Sequence, residues 1–182
     1  MADEELLQYK TVIDNDTIRF KEIIKKKLIS NENIIKVLNN PELVNKGAEP
    51  DEYLNVNILP YFLIHNTQTN VQNFICYEVQ FDEIARYNKI IKLCQVIFYV
   101  LCEQKNNIDE ETGIARHDLL AALIQHEFNW SQCFGQQIHL ISDKPSVTDS
   151  DYATRTLIFE VELPNGIAKT TNGVTKVINN RI

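Results

Sequence analysis

The segment Tyr152–Pro164, YATRTLIFEVELP, constrains the fold more than any other. Leu157, Phe159, Val161 and Leu163 fall on one side. Thr156, Ile158, Glu160 and Glu162 fall on the other, which is the period of a half-buried strand. Such a strand needs partner strands and a second layer to bury its apolar side. A matching segment lies upstream: Asn73–Asp82, NFICYEVQFD, puts Ile75, Tyr77, Val79 and Phe81 on one face. The chain has 182 residues, of which 44% are hydrophobic. That suffices for one domain with a real core plus extensions, and argues against disorder.

Helical spacing dominates the first third. Asp14–Ile29 carries Ile18, Phe20, Ile23, Ile24 and Leu28, with Asp16 or Thr17 as the expected N-cap. Ser30 and Asn31 interrupt it, and Glu32–Leu38 repeats an apolar pattern that Asn39-Asn40-Pro41 stops. The two helices form a hairpin, read as an N-terminal helical arm over residues 1–50. Pro41–Asp51 reads as a loop at its boundary with the main module. Val56–Ile64 is β-prone, but Pro60 makes it an edge strand.

Asn88–Gln104 is apolar nearly all round, which suggests a helix buried against a sheet. Ile114–Phe128 predicts another helix, with Leu119, Leu120, Leu123 and Ile124 as its stripe. Gln136–Ser142 reads as a short strand, and Asp143–Asp151 as a long polar hairpin loop leading to the closing strand. These elements make an α+β fold: a small, mostly antiparallel sheet packed against two or three helices, in a module spanning residues 51–164. Residues 165–182 are polar and rich in Gly, Asn and Thr, and read as a flexible C-terminal arm.

Several functional classes are disfavoured. A net charge of −7 argues against general nucleic-acid or membrane-surface binding, and the basic run Lys25–Lys27 reads as a solvated helix face. No segment approaches the ~20 apolar residues that span a bilayer. The N-terminus MADEELLQYK lacks a signal-peptide pattern, so a cytoplasmic protein, or one packaged into a particle assembled there, is expected. Cys76, Cys94, Cys102 and Cys133 form no CxxC pair and read as small core hydrophobes. Abundant Ile and Asn with scarce Gly and Arg suggest an AT-rich genome.

Chemistry-bearing residues are present without an arrangement that uses them. His126-Glu127 lacks the second histidine of a zinc HExxH site. Arg116-His117-Asp118 falls where a helix starts, and Asp118 suits its first turn. Nucleophile-elbow, P-loop, dinucleotide and EF-hand patterns are absent. The acidic runs Asp109–Glu111 and Asp149/Asp151 lie in expected loops and read as solvated. Trp130, the one tryptophan, reads as a packing anchor between helix and strand.

The element order expected over Phe74–Asp82, Asn88–Cys102, Leu119–Trp130 and Ile138–Leu163, with its R-T-L-x-F-x-V closing pattern, resembles the small α+β joining proteins of tailed bacteriophages. These are the tail terminators and the head–tail connector, or neck, subunits. The resemblance covers about Val56–Pro164, and the helical arm departs from it. It implies a structural virion protein that forms a ring, as a hexamer or dodecamer, with no enzymatic activity and no cofactor or metal. Implied partners are further copies of the chain, then portal or adaptor proteins or tail tube and sheath. There is no membrane partner, and DNA is at most a passenger through the lumen. Under this reading Asp143, Lys144, Asp149, Asp151, Arg155 and Arg181 are expected to make intersubunit contacts.

Two other readings stay open at this point. One is a cytoplasmic α+β enzyme or ligand-binding domain with a pocket near His117, Glu127 and Trp130. The other is a host-interaction protein that binds through the helical hairpin Asp14–Leu38.

Overall fold

The computed structural model describes residues 16–62, 72–81, 91–147, 152–164, 167–169 and 175–177. The described residues begin with three helices: α1 (Asp16–Ser30), α2 (Glu32–Leu38) and α3 (Pro41–Lys46). In α1 the buried residues are Phe20, Ile24 and Leu28, each one turn beyond the last. Asn31 caps α2, its side chain accepting from the amides of Asn33 and Ile34, and Asn39 ends it in the left-handed region.

Pro41–Asp51, expected as a loop, instead holds α3 and a 3-10 turn, Pro50–Tyr53. The side chain of Asn40 accepts from the amides of Glu42 and Leu43, and Pro41 sits in the first turn. The Asn-Pro pair that ends one helix therefore starts the next, because proline is pre-set for the first helical position.

The sheet comprises β1 (Ile58–Leu59), β2 (Phe74–Phe81), β3 (Ile91–Glu103), β4 (His139–Val147) and β5 (Tyr152–Pro164). Their order across it is β1-β2-β3-β5-β4. The β1–β2 pair is parallel and the others antiparallel. The fold is α+β, as expected from the sequence.

The main correction is β3. The segment expected as a helix over Asn88–Gln104 is a central strand where it is described. It pairs with β2 from Phe74↔Leu101 to Phe81↔Cys94, and with β5 from Ile91↔Pro164 to Glu103↔Tyr152. Cys94, Val96, Phe98, Val100 and Cys102 are buried on the helix side, and Ile97 and Leu101 are buried on the other. A strand covered on both faces loses its alternation and looks apolar all round, as a buried helix does. Cys94 and Cys102 lie on one buried face, through their even spacing in a strand.

Helix α4 (Arg116–Phe128) buries Leu120, Ala121, Ile124 and Phe128, with Leu119 and Leu123 packed partly against the core. It lies over β3 and β5, while α1 lies over β2. The main core joins these helices to the sheet, and Phe98 at its centre stands 5.0 Å from the Phe128 ring and 5.7 Å from Phe159. The apolar side of β5 faces the helices as its pattern predicts. A smaller cluster of Leu59, Phe74, Cys76, Leu101 and Tyr152 occupies the opposite face.

Strand β4 also differs from expectation. It continues through Val147, so Asp143, Lys144 and Pro145 belong to a strand rather than a loop, and its register shifts between Leu140 and Ser142. Proline is tolerated there because β4 is an edge strand. Beyond β5, the expected flexible arm contains a short antiparallel pair, β6 (Ile167–Lys169) with β7 (Thr175–Val177).

Candidate functional site

Charged side chains converge where the first turn of α4 meets β4 and β5. Arg155 stands on the helix side of β5. Its Nε donates to Asp143 Oδ1 at 2.6 Å and its second terminal nitrogen to Asp143 Oδ2 at 3.1 Å, a bidentate pair across the hairpin. The remaining nitrogen bonds to Asp118 of α4. The Asp143 carboxylate holds the guanidinium above its ordinary pKa, and Asp118 adds to the effect. Gln125 donates to the same Asp143 at 2.7 Å.

Arg116, at the start of α4, is buried and bonds to three groups from two other segments: the carbonyls of Val37 at 3.3 Å and Asn106 at 3.2 Å, and Asp109 Oδ1 at 3.0 Å. The Thr112 hydroxyl and amide, together with Arg116, hold Asp109 below the usual carboxylate range. Both arginines tie elements of this chain together. Of the residues expected at an intersubunit contact, Asp143 and Arg155 thus meet each other within one subunit. Lys144 is exposed on β4. Asp149, Asp151 and Arg181 lie outside the described residues.

His117, Glu127 and Trp130 do not assemble into a pocket. His117 and Glu127 are ten positions apart on α4, about 15 Å along its axis. The His117 ring is held by Asn107, with Nδ1 3.1 Å from Oδ1. Glu127 accepts from Lys27 of α1 at 2.6 Å. Trp130 is 63% exposed, stacks on His139 and has φ +64°. The sequence reading of a packing anchor is therefore corrected. The left-handed region is costly for a bulky side chain, by on the order of 1–3 kcal/mol. It is held by a hydrogen bond from the Trp130 amide to the Ile138 carbonyl at 2.7 Å. No sequence signal marked this display, because it depends on where α4 meets β4.

The apolar face of the α1–α2 hairpin is also committed: Phe20, Ile24, Leu28, Ile34 and Leu38 are all fully buried in the main core. Among the described residues, no group of three or more His, Cys, Asp or Glu side chains is placed to hold a metal ion. What the described surface does present is two strand edges. β4 pairs with β5 alone, and Tyr77–Phe81 of β2 has no strand partner on its outer side among the described residues.

No curated protein matches the chain. A family model, YomW, matches residues 31–161, from the cap of α2 into β5, and this family is named after a Bacillus prophage gene product. The match covers well over half of the chain, which therefore belongs to the YomW family of phage-associated proteins.

Proposed function

We propose that this protein is a non-enzymatic structural subunit of a phage particle, assembling with copies of itself into a ring at the neck or tail end. In that setting its neighbours are portal or adaptor proteins, or tail tube and sheath, and DNA passes through the lumen. The observation that carries the reading is the pair of strand edges, one at each side of a rigid sheet. An edge is a ready template for pairing with another chain. Two different edges on one subunit give a heterologous contact, which closes into a ring when the rotation allows.

Three further features support it. The family is phage-associated. The charged groups around α4 are consumed in contacts that stiffen the module. The histidine and carboxylate on which a pocket would depend are about 15 Å apart along one helix and serve structural partners. Immunogold labelling of purified particles tests the proposal. Label at the neck or tail end is expected, and particles free of the chain would refute it.

A further inference from the structure

The positions of the two edges can be compared row by row through the sheet. His139 pairs with Glu160, Glu160 with Gln95, and Gln95 with Gln80. The same route takes Asp143 through Leu157 and Phe98 to Tyr77. Residues His139–Asp143 of β4 are thus level with Gln80–Tyr77 of β2, and both stretches lack an outer strand among the described residues.

The next rows are covered on the β2 side. β1 covers β2 at Ile75 and Cys76, which are level with Pro145 and Lys144. Pro145 has no N–H to offer a further strand. The two stretches without an outer strand are therefore level with each other, the β4 stretch being one residue longer through its register shift, with its Leu140 amide held by Asn129 Oδ1 at 2.9 Å.

Chemistry at the two ends of this stretch matches as well. Phe81, 36% exposed, pairs with Cys94 and through it with Val161, one position beyond the Glu160–His139 pair at which β4 begins. Trp130, bonded to the carbonyl of Ile138 just before β4, is displayed beside the start of the opposite edge. At the other end Lys144 is level with Leu59 of β1. It is exposed and forms no salt bridge among the described residues. The turn that leads into β1 carries Glu49, Asp51 and Glu52, also exposed and also without a salt bridge among those residues.

We infer that copies of this chain join head to tail through these edges, β4 of one copy lying antiparallel beside Tyr77–Phe81 of the next. Trp130 meets the next copy's Phe81, and Lys144 meets its acidic turn. The antiparallel sense follows from the topology, since β4 runs opposite to β2 within one sheet. The inference rests on the self-assembly in the proposed function and specifies its contact surface. The strain at Trp130 then has a use, because a rigid exposed tryptophan is the kind of side chain that anchors an interface.

The test is a pair of cysteines, Ser142→Cys with Glu78→Cys, in a Cys133→Ser background. The two positions are level but three strand spacings apart in one chain, about 14 Å. That is beyond the ~7 Å that a disulfide spans between Cα atoms, so any bond between them links two copies. Mild oxidation of the concentrated protein should give a ladder of cross-linked multimers from the double variant and from neither single variant. Lys144→Glu should reduce ladder formation about tenfold, and adding Glu52→Lys with Asp51→Lys should restore it.

A chain that oligomerises without cross-linking overturns the inference and leaves the ring reading intact. A dimer formed by Ser142→Cys alone also overturns it, in favour of β4 meeting β4. A strictly monomeric chain overturns it too, and the ring reading falls with it if particles also lack the protein.

Discussion

Replacing Phe98 by alanine probes the strand that organises the sheet. Phe98 is fully buried, with Phe128 and Phe159 packed on its ring and Tyr77 6.4 Å away. Truncation removes the transfer energy of a whole ring and leaves a cavity that the sheet beneath cannot collapse into, a loss of about 3–5 kcal/mol. Its neighbour Tyr99 points to the opposite face, is partly exposed and touches the Phe62 ring at 4.7 Å. Tyr99→Ala should cost about 1–2 kcal/mol. The large penalty should return at Val96 and Val100 and be small at Leu93 and Gln95, a period of two. Urea unfolding followed by far-UV circular dichroism measures each variant. Small losses at both Val96 and Val100, two positions either side of Phe98 and so on the far side of a helix, or a loss under about 1 kcal/mol for Phe98→Ala, would refute the assignment of this segment to a strand.

Arg155→Ala should lower stability by about 1–3 kcal/mol, and Arg155→Lys should recover only part of it, since an ammonium cannot make the bidentate bond to Asp143; the same unfolding curves report both. Asp109 has a depressed pKa, so its contribution is present above its ordinary value near pH 4 and disappears as pH falls through the lower folded value. The acid limb of the wild-type stability curve should therefore be steeper than that of Asp109→Asn. Thiol labelling at pH 8 should reach Cys133 first, because it is partly exposed. Cys94, whose pKa burial pushes up to about 12, should react with Cys76 and Cys102 only on unfolding.

Much of the fold is legible in the sequence where one face of an element is wet. Strands β2 and β5, and helices α1, α2 and α4, follow from their periodicity because each has a polar side to mark the phase. The same logic hides β3. Both of its faces are buried, so its pattern has no phase, although Val96-Ile97-Phe98-Tyr99-Val100 is a β-branched and aromatic run of the kind strands favour. Asn40-Pro41 is ambiguous because one pair both stops a helix and starts another. Asp143–Pro145 looks like a loop because its polar residues and proline suit an edge strand equally well.

The candidate surface was less legible, and for a different reason. The partners of Arg155 lie 12 and 37 positions away, and their meeting needs the hairpin and α4 in place. The matching of the two sheet edges depends on register through four strands, which no local pattern encodes. The phage association anticipated from the expected element order agrees with the family match, even though one element in that order was a strand and not a helix.

A reconstruction of the intact particle by electron cryomicroscopy tests the central claim most directly. The account predicts a closed ring of this chain at the neck or tail end, in which β4 of each subunit adjoins β2 of the next. A particle that lacks the chain, or that carries it as isolated copies, would contradict it.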